Sequence, residues 1–410
     1  MSVSEESLLL ALNAGGSSLK AKLYALAPDG STLELRSSAR LEGIGRKRAR
    51  LRVDDVGFSI GAVGDHSSAA EALLGKLLPG TRESQGRLVA IGHRIVHGGT
   101  QFTRPVRITA DVWRQLEALR ELAPLHNPPA LTVVRATATR YSRVPLYAIF
   151  DTAYFAGLPP HVREYALPAE WRSGRGIRRF GFHGLAHEYL ARTARQLGGA
   201  RRRLVTLQLG HGCSATAVLA GDPVETSMGF SPLEGLIMAT RPGDLDAGVL
   251  LELTRRGEAW QTIAHVLHRE AGLLGMSGAT GDVRELLDLE ASGHEGATLA
   301  LAAFCHRIVK YLGAYAAVLG GLDAIAIGGG IGENSPAVRA RICRGLEWLG
   351  LKLDPAANDD AVGVAARITA PNSAIAVDVI PVDEELLIAE RVRESLPVSD
   401  AVSDIGARQS

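Results

Sequence analysis

The sequence predicts an α/β protein built from two similar domains that face each other across a cleft. Residues 8–24 (LLLALNAGGSSLKAKLY) read as a buried strand, a tight turn and a returning strand. The apolar run ends in Asn13-Ala14-Gly15-Gly16-Ser17-Ser18, after which Leu19, Ala21 and Leu23 alternate with Ser18, Lys20 and Lys22. Residues 204–218 (LVTLQLGHGCSATAV) repeat that pattern, and a shift of 197 residues places Gly15 on Gly212 and Ser17 on Ser214. Further buried-strand runs at 88–91, 144–150, 322–327 and 374–380 lead into glycines, histidines or carboxylates, and strand ends are where α/β proteins bind ligands. A chain of 410 residues is also long for a single core. The break is expected near residue 152, giving domains 1–152 and 153–383.

Taken in order, the first turn carries small residues, hydroxyls, an amide and a lysine, which suits close approach to an anion. Residues 26–66 are turn-rich and charged and read as an antiparallel extension, and residues 69–78 as a helix. The run 88–91 leads into Gly92-His93-Arg94-Ile95-Val96-His97-Gly98-Gly99, cationic donors beside glycines. Asn127 before Pro128 reads as a helix N-cap, with the helix running to about Thr139. The strand at 144–150 ends in Asp151-Thr152, a ligand or metal position, or a helix cap. Residues 156–182, with Pro159-Pro160 and many arginines, read as a linker or surface excursion.

His183 lies between Phe182 and Gly184 where a helix opens, an electrophile or anion contact, while His187 one turn on reads as a core or cap histidine. The second hairpin contains Gly210-x-Gly212-x-x-Ala215, but that dinucleotide pattern must open a helix and here a strand follows. Residues 226–246 form a long glycine- and proline-broken loop with Glu234, Arg241, Asp244 and Asp246. Arg241 stands out because a guanidinium holds a phosphoryl group bidentately, the alternative being an ion pair with a neighbouring aspartate. Residues 299–318 are a long apolar helix. The strand at 322–327 ends in Gly328-Gly329-Gly330-Ile331-Gly332-Glu333-Asn334-Ser335-Pro336, a turn on which a flat adenosine can lie, with Ser335-Pro336 starting a helix. Asp383-Glu384-Glu385 follow the last strand, as Mg²⁺ contacts or as acids of a helix N-terminus. The closing helix, 384–396, completes the first domain, and 397–410 is expected to be a disordered tail.

Composition sets bounds. A net charge of +1 gives no electrostatic case for nucleic acid or an acidic membrane surface, and the runs Arg46-Lys47-Arg48-Ala49-Arg50 and Arg201-Arg202-Arg203 lack interleaved aromatics. Three scattered cysteines exclude a disulfide framework and a thiolate zinc site. No GxxxxGK[ST] loop occurs. The short apolar start is preceded by acids and is not a signal peptide, and the longest apolar run falls short of a membrane span. A cytoplasmic protein is expected.

Segments 13–20, 93–99, 123–128, 150–153, 180–187, 209–214, 226–246, 328–335 and 379–385 together resemble, in order and spacing, the acetate kinase family. The resemblance covers nearly the whole chain. It implies the actin–hexokinase, ribonuclease H-like fold, two duplicated α/β domains flanking a nucleotide cleft, usually in a homodimer. It also implies reversible Mg²⁺-dependent phosphoryl transfer from ATP to acetate, giving acetyl phosphate and ADP, with Mn²⁺ as an alternative ion. By position, Asn13 and Glu384 would serve the metal and Lys20 the nucleotide phosphates. Arg94 would bind the carboxylate, with Val96, Leu125, Phe182 and Pro232 around its methyl. Asp151, His183 and Arg241 match the catalytic positions. ATP would lie on Gln208, Leu209, Gly210, His211 and Gly212, on Asp282, Val283 and Arg284, and on Gly330, Ile331, Gly332, Glu333 and Asn334.

The acceptor is a carboxylate already ionised at neutral pH, so the reaction needs charge cancellation and alignment rather than a general base. Asp151 is therefore expected to orient an arginine or the metal. The chain departs from the family in its phosphate-facing turns. Gly16 replaces a serine, Gln208 a histidine, His211 an asparagine and Cys213 a serine; Ala239 and Pro242 alter the arginine loop, and Phe155 stands where a histidine is common. A propionate or other short-chain carboxylate kinase, and an actin-like nucleotide-binding protein with lost or hydrolytic activity, are the alternative readings.

Overall fold

The computed structural model describes residues 6–78, 88–124, 126–198 and 202–397, so Leu125 and the tail beyond 397 lie outside the described residues. The chain divides into two compact units, Met1–Ala153 with Asp383–Ser410, and Tyr154–Val382.

The first unit opens with β1 (Ser7–Ala14) and β2 (Ser18–Leu26), joined by the turn around Gly15-Gly16. Asn13 stands opposite Lys20 in their antiparallel register. The alternation along β2 buries Leu19, Ala21 and Leu23 and leaves Lys20 and Lys22 on the other face. β3 (Leu33–Glu42), β4 (Ala49–Val53) and β5 (Val56–Ile60) extend the sheet antiparallel. Helix α1 (His66–Leu77), capped by Asp65, covers one face. β6 (Leu88–Ile95) then pairs parallel with β1. It runs four residues past the expected end, so His93 and Arg94 are strand residues.

After β7 (Val106–Arg107) come α2 (Ala110–Ala118) and α3 (Asn127–Arg140). Asn127 is not the expected N-cap. It is the first helical residue, its Oδ1 accepts the His97 N–H at 3.1 Å, and its Nδ2 donates to the His97 and Leu119 carbonyls, each at 3.1 Å. Burial explains the difference: a fully enclosed amide must satisfy both ends, and these partners do so. β8 (Leu146–Phe150) completes an eight-stranded sheet in the order β5-β4-β3-β2-β1-β6-β8-β7.

The second unit begins at Tyr154, and residues 156–182, expected as a linker or surface excursion, carry structure of their own. They hold α4 (Pro160–Arg163) and a π turn (Glu170–Gly174), and Phe180 N and Gly181 N donate to the Gly229 carbonyl at 3.0 and 3.3 Å. Helix α5 (Gly184–Gly198) leads to β9 (Arg203–Leu209), β10 (Cys213–Leu219) and β11 (Asp222–Thr226). Five helices follow the long loop: α6 (Ala247–Arg255), α7 (Trp260–Arg269), α8 (Gly272–Ser277), α9 (Val283–Ala291) and α10 (Glu295–Val318). Helix α10 buries Ala297, Leu301, Phe304, Ile308, Leu312 and Tyr315, the three- and four-residue spacing of one helical face. Each such buried Leu or Ile contributes about 1.5–3 kcal/mol.

β12 (Ala324–Gly328) runs parallel to β9. The glycine-rich stretch after it is not a turn but a short helix, α11 (Gly329–Asn334), followed by α12 (Pro336–Arg344), and Ser335 provides no side-chain cap. After α13 (Pro355–Asp360) come β13 (Ala366–Arg367) and β14 (Ala376–Val379). The second sheet has the order β11-β10-β9-β12-β14-β13. This matches β3-β2-β1-β6-β8-β7 strand for strand, including which pairs are antiparallel and which parallel. The duplication expected from two glycine hairpins therefore extends through six strands of each sheet.

Helix α14 (Glu384–Ser395) returns the chain to the first unit, against β1, β6 and β8. Asp383 caps it by accepting the Leu386 N–H at 2.9 Å, and Lys22 pins the cap at 2.6 Å. Among the described residues no helix is long and apolar enough to cross a membrane.

Candidate active site

In the first unit, β1, β6 and β8 lie parallel side by side, so their carboxyl ends form a row. The sequence places Asn13 at the end of β1, Arg94 near the end of β6 and Asp151 directly after β8. Helix α14 adds Glu384 and Glu385 from its first turn. Arg94 donates from Nε and Nη2 to the two Asp151 oxygens at 3.0 and 2.6 Å, and from Nη1 to Asn13 Oδ1 at 2.9 Å. Asn13 Nδ2 donates in turn to Glu384 Oε2 at 2.6 Å and Glu385 Oε1 at 2.7 Å.

Asp151 is fully buried. Burial opposes the Arg94 charge, yet the carboxylates of Asp151, Glu384 and Glu385 prevail and raise its pKa. These bonds use three of the five guanidinium N–H donors, and Nη1 also lies 3.5 Å from Glu384 Oε2. The Lys20 side chain, on the residue opposite Asn13, makes no hydrogen bond or ion pair among the described residues. Val96 is buried just past β6.

In the second unit the turn between β9 and β10 is closed by Gly210 N donating to the Gly212 carbonyl at 3.1 Å. A Cβ at Gly212 would lie 2.9 Å from Arg241 Nη2 and 3.2–3.3 Å from the His183 ring, so this turn must present bare backbone to both. His183 adopts φ 58°, a left-handed conformation rare for a non-glycine residue. Its Nδ1 bonds to Ser214 Oγ at 2.9 Å. Ser214 Oγ also meets His187 Nε2 at 2.7 Å, and His187 Nδ1 meets Thr206 Oγ1 at 2.7 Å. His187 is thus a core histidine with work to do: burial and the neighbouring His183 push its pKa well down, and it relays orientation from β9 to His183. Phe155, where the family commonly has histidine, packs edge-on against His187 at 6.1 Å.

Arg241 is largely enclosed, and burial lowers its pKa. Its Nη1 donates to the Pro232 carbonyl at 2.7 Å. It has no carboxylate partner among the described residues, because Asp244 is taken by Gly235 N and Tyr311 Oη. The ion-pair alternative for Arg241 is therefore set aside. Phe182 is buried beside His183 in sequence, and Pro232 is partly exposed.

Of the expected nucleotide segments, Gln208–Gly212 and Gly330–Asn334 follow from adjacent strands, since Gln208 of β9 pairs with Gly328 of β12. Gln208 Oε1 is buried without a hydrogen-bond partner among the described residues. The Glu333 side chain braces the backbone, accepting from Gly329 N at 2.8 Å and Val382 N at 3.1 Å, while Asn334 Nδ2 donates to the Gly330 carbonyl at 3.0 Å. Arg339, fully buried and unremarked in the sequence, donates to the carbonyls of Gly332, Asn358 and Ala361 at 2.8, 2.6 and 2.8 Å. Asp282 caps α9, and the exposed Arg284 folds back on it at 2.8 Å. His211 is exposed at the hairpin tip, where its carbonyl accepts the Ala239 N–H at 3.2 Å. Sequence reasoning missed Arg339, Thr206 and the linking role of Ser214. Of these, only Ser214 carried a signal, as the counterpart of Ser17 in the repeat.

An arginine tethered by a buried carboxylate, and a second arginine and a histidine bracketing a bare glycine turn, are cationic groups of the kind kinases place around a moving phosphoryl group. The model of the acetokinase family matches residues 8–390. Acetate kinase of Geobacillus kaustophilus (strain HTA426) is 41% identical over 399 residues, spanning 94% of this chain and 98% of the relative. The crystal structure of Porphyromonas gingivalis acetate kinase superposes with a TM-score of 0.82 at 36% identity, over 94% of this chain and 98% of that one. The crystal structure of a propionate kinase from Francisella tularensis subsp. tularensis SCHU S4 gives 0.85 at 34%, over the same shares. The chain belongs to the acetokinase family, as its nine motifs implied.

Proposed function

We propose that the protein catalyses reversible, Mg²⁺-dependent in-line transfer of the γ-phosphoryl group of ATP to acetate, giving acetyl phosphate and ADP. The observation that carries this reading is the half-buried Arg241, without a carboxylate partner among the described residues, beside His183 and the bare backbone of Gly212. A partly enclosed guanidinium without a carboxylate partner there is complementary to an anion.

In this reading Arg94 holds the carboxylate, Asp151 holds Arg94, and Lys20 serves the phosphates. Arg241 and His183 serve the transferring group, and Gln208–Gly212, Asp282–Arg284 and Gly330–Asn334 the nucleotide. Val96, Phe182 and Pro232 are assigned to acyl recognition. Leu125, assigned with them, lies outside the described residues.

For the metal, the Asn13 amide and the Glu384 carboxylate are hard oxygen donors. Asp151 and Glu384 lie within ion-pair distance of Arg94, and Glu385 accepts from Asn13 beside them. The donor set fits Mg²⁺, with Mn²⁺ as a substitute. Among the described residues no three His, Cys, Asp or Glu side chains form a metal cage. Mg²⁺ is commonly held by one or two carboxylates, waters and substrate phosphates. When bound, the ion supplies charge neutralisation on the phosphates. A homodimer in the cytoplasm, with neither nucleic acid nor membrane as partner, belongs to the same reading.

The likeness to the Francisella propionate kinase supports propionate as a second acceptor, since one methylene is worth only about 1–3 kcal/mol of discrimination. The test incubates the protein with Mg-ATP, hydroxylamine and carboxylic acids of two to four carbons. Acylhydroxamate is expected with acetate, and its yield with propionate ranks the two. No acylhydroxamate with any acid would end the kinase reading.

A further inference from the structure

Residues 156–182 are folded onto the loop that carries Arg241, and one carboxylate gathers the contacts. Glu234 Oε2 accepts from Tyr165 Oη at 2.5 Å, and Glu234 Oε1 accepts from Arg179 Nη2 at 2.7 Å. Tyr165 Oη itself accepts the Phe230 N–H at 2.8 Å. Arg179 Nη1 donates to the Thr226 and Met228 carbonyls at 3.1 and 3.2 Å, and its guanidinium lies 5.5 Å from the centre of the Tyr165 ring. A Cβ at position 229 would fall 1.8 Å from Glu234 Oε2 and 1.9 Å from Tyr165 Oη, so Gly229 leaves the space this arrangement needs. Phe230 and Glu234 are thus both tied down, and Pro232 sits midway between them. Its carbonyl receives the Arg241 guanidinium.

We propose that Tyr165, Arg179 and Glu234 are positioning residues that set Arg241 through the Pro232 carbonyl. This rests on the kinase reading, in which Arg241 meets the transferring phosphoryl group. The physical reason is that Arg241 ends a long, flexible side chain with no carboxylate among the described residues to orient it. The carbonyl of Pro232 selects its direction, and that carbonyl is only as well placed as residues 230–234. A misplacement of about 1 Å in a catalytic group costs on the order of a hundredfold in rate.

Tyr165→Phe keeps the ring and removes the hydroxyl that joins Phe230 N–H to Glu234. The expected result is a kcat about ten- to a hundredfold lower, a carboxylate KM within about twofold of wild type, and faster amide hydrogen exchange confined to residues 226–244. Glu234→Gln, which can still accept from Arg179 and hydrogen-bond Tyr165, recovers most of the kcat that Glu234→Ala loses. A wild-type kcat in Tyr165→Phe, unchanged exchange in the loop, or equal losses in Glu234→Gln and Glu234→Ala would overturn the proposal. Absence of acyl phosphate with the wild-type protein counts against the kinase reading instead, and the exchange experiment still scores the clamp.

Discussion

Arg94 meets Asp151 side-on, with Nε and Nη2 each donating to one carboxylate oxygen, at 3.0 and 2.6 Å, in a site where Asp151 is fully buried. Both Asp151 oxygens are therefore engaged by a permanent cation. A carboxylate in that position is a poor proton acceptor and a good anchor.

The first prediction concerns that pair. Asp151→Asn should lower kcat about a hundred- to a thousandfold, because Arg94 loses its anchor and its charge balance. The pH dependence of the residual rate should keep its shape. A pH–rate profile over pH 5–9 checks this, and a basic limb that vanishes only in Asp151→Asn would mean that Asp151 takes a proton.

Arg241→Ala removes the guanidinium beside His183 and Gly212. Turnover should fall about a hundred- to a thousandfold, while ADP affinity by calorimetry stays near wild type. Near wild-type turnover would remove Arg241 from the transferring group.

Two buried histidines should make the fold less stable as the pH falls. Burial pushes His93 down to about 3 from its ordinary 6.5, and burial with the nearby His183 pushes His187 well down. The unfolded chain takes up a proton on each below pH 6.5, and the folded chain does not. Stability is full above that pH and declines as pH falls toward 3, by about 1.4 kcal/mol per pH unit for each histidine. Urea midpoints between pH 7 and 4.5 should show the slope, and His93→Gln should remove its share.

Arg339 is fully enclosed and binds three carbonyls, one of them Gly332 in the expected nucleotide helix. Arg339→Met keeps the volume and leaves those carbonyls unsatisfied, at a cost of about 2–4 kcal/mol in stability. Nucleotide affinity should weaken with it. Thermal unfolding with and without ADP separates the two effects.

The readings that succeeded from sequence share one property: their signal is local. Alternation along β2, the glycines of both hairpins and the repeat between them are written within short stretches. They were enough for two duplicated α/β units, and the motifs were enough for the family. The readings that failed were also local. Asn127 before Pro128 had the residues of a cap, but burial turned it into a staple on His97 and Leu119. Residues 156–182 had the composition of a linker, but Tyr165 and Arg179 found Glu234.

The sequence by itself thus determined which side chains stand at the strand ends, Asn13, Arg94 and Asp151, and that a second glycine turn would answer the first. Only the tertiary structure decided what those groups touch. Asn13 meets Glu384 across 371 residues of chain, and Arg94 meets Asp151 across 57. Contacts of that kind depend on strand order and helix docking. These pair distant residues without leaving any period or motif between them.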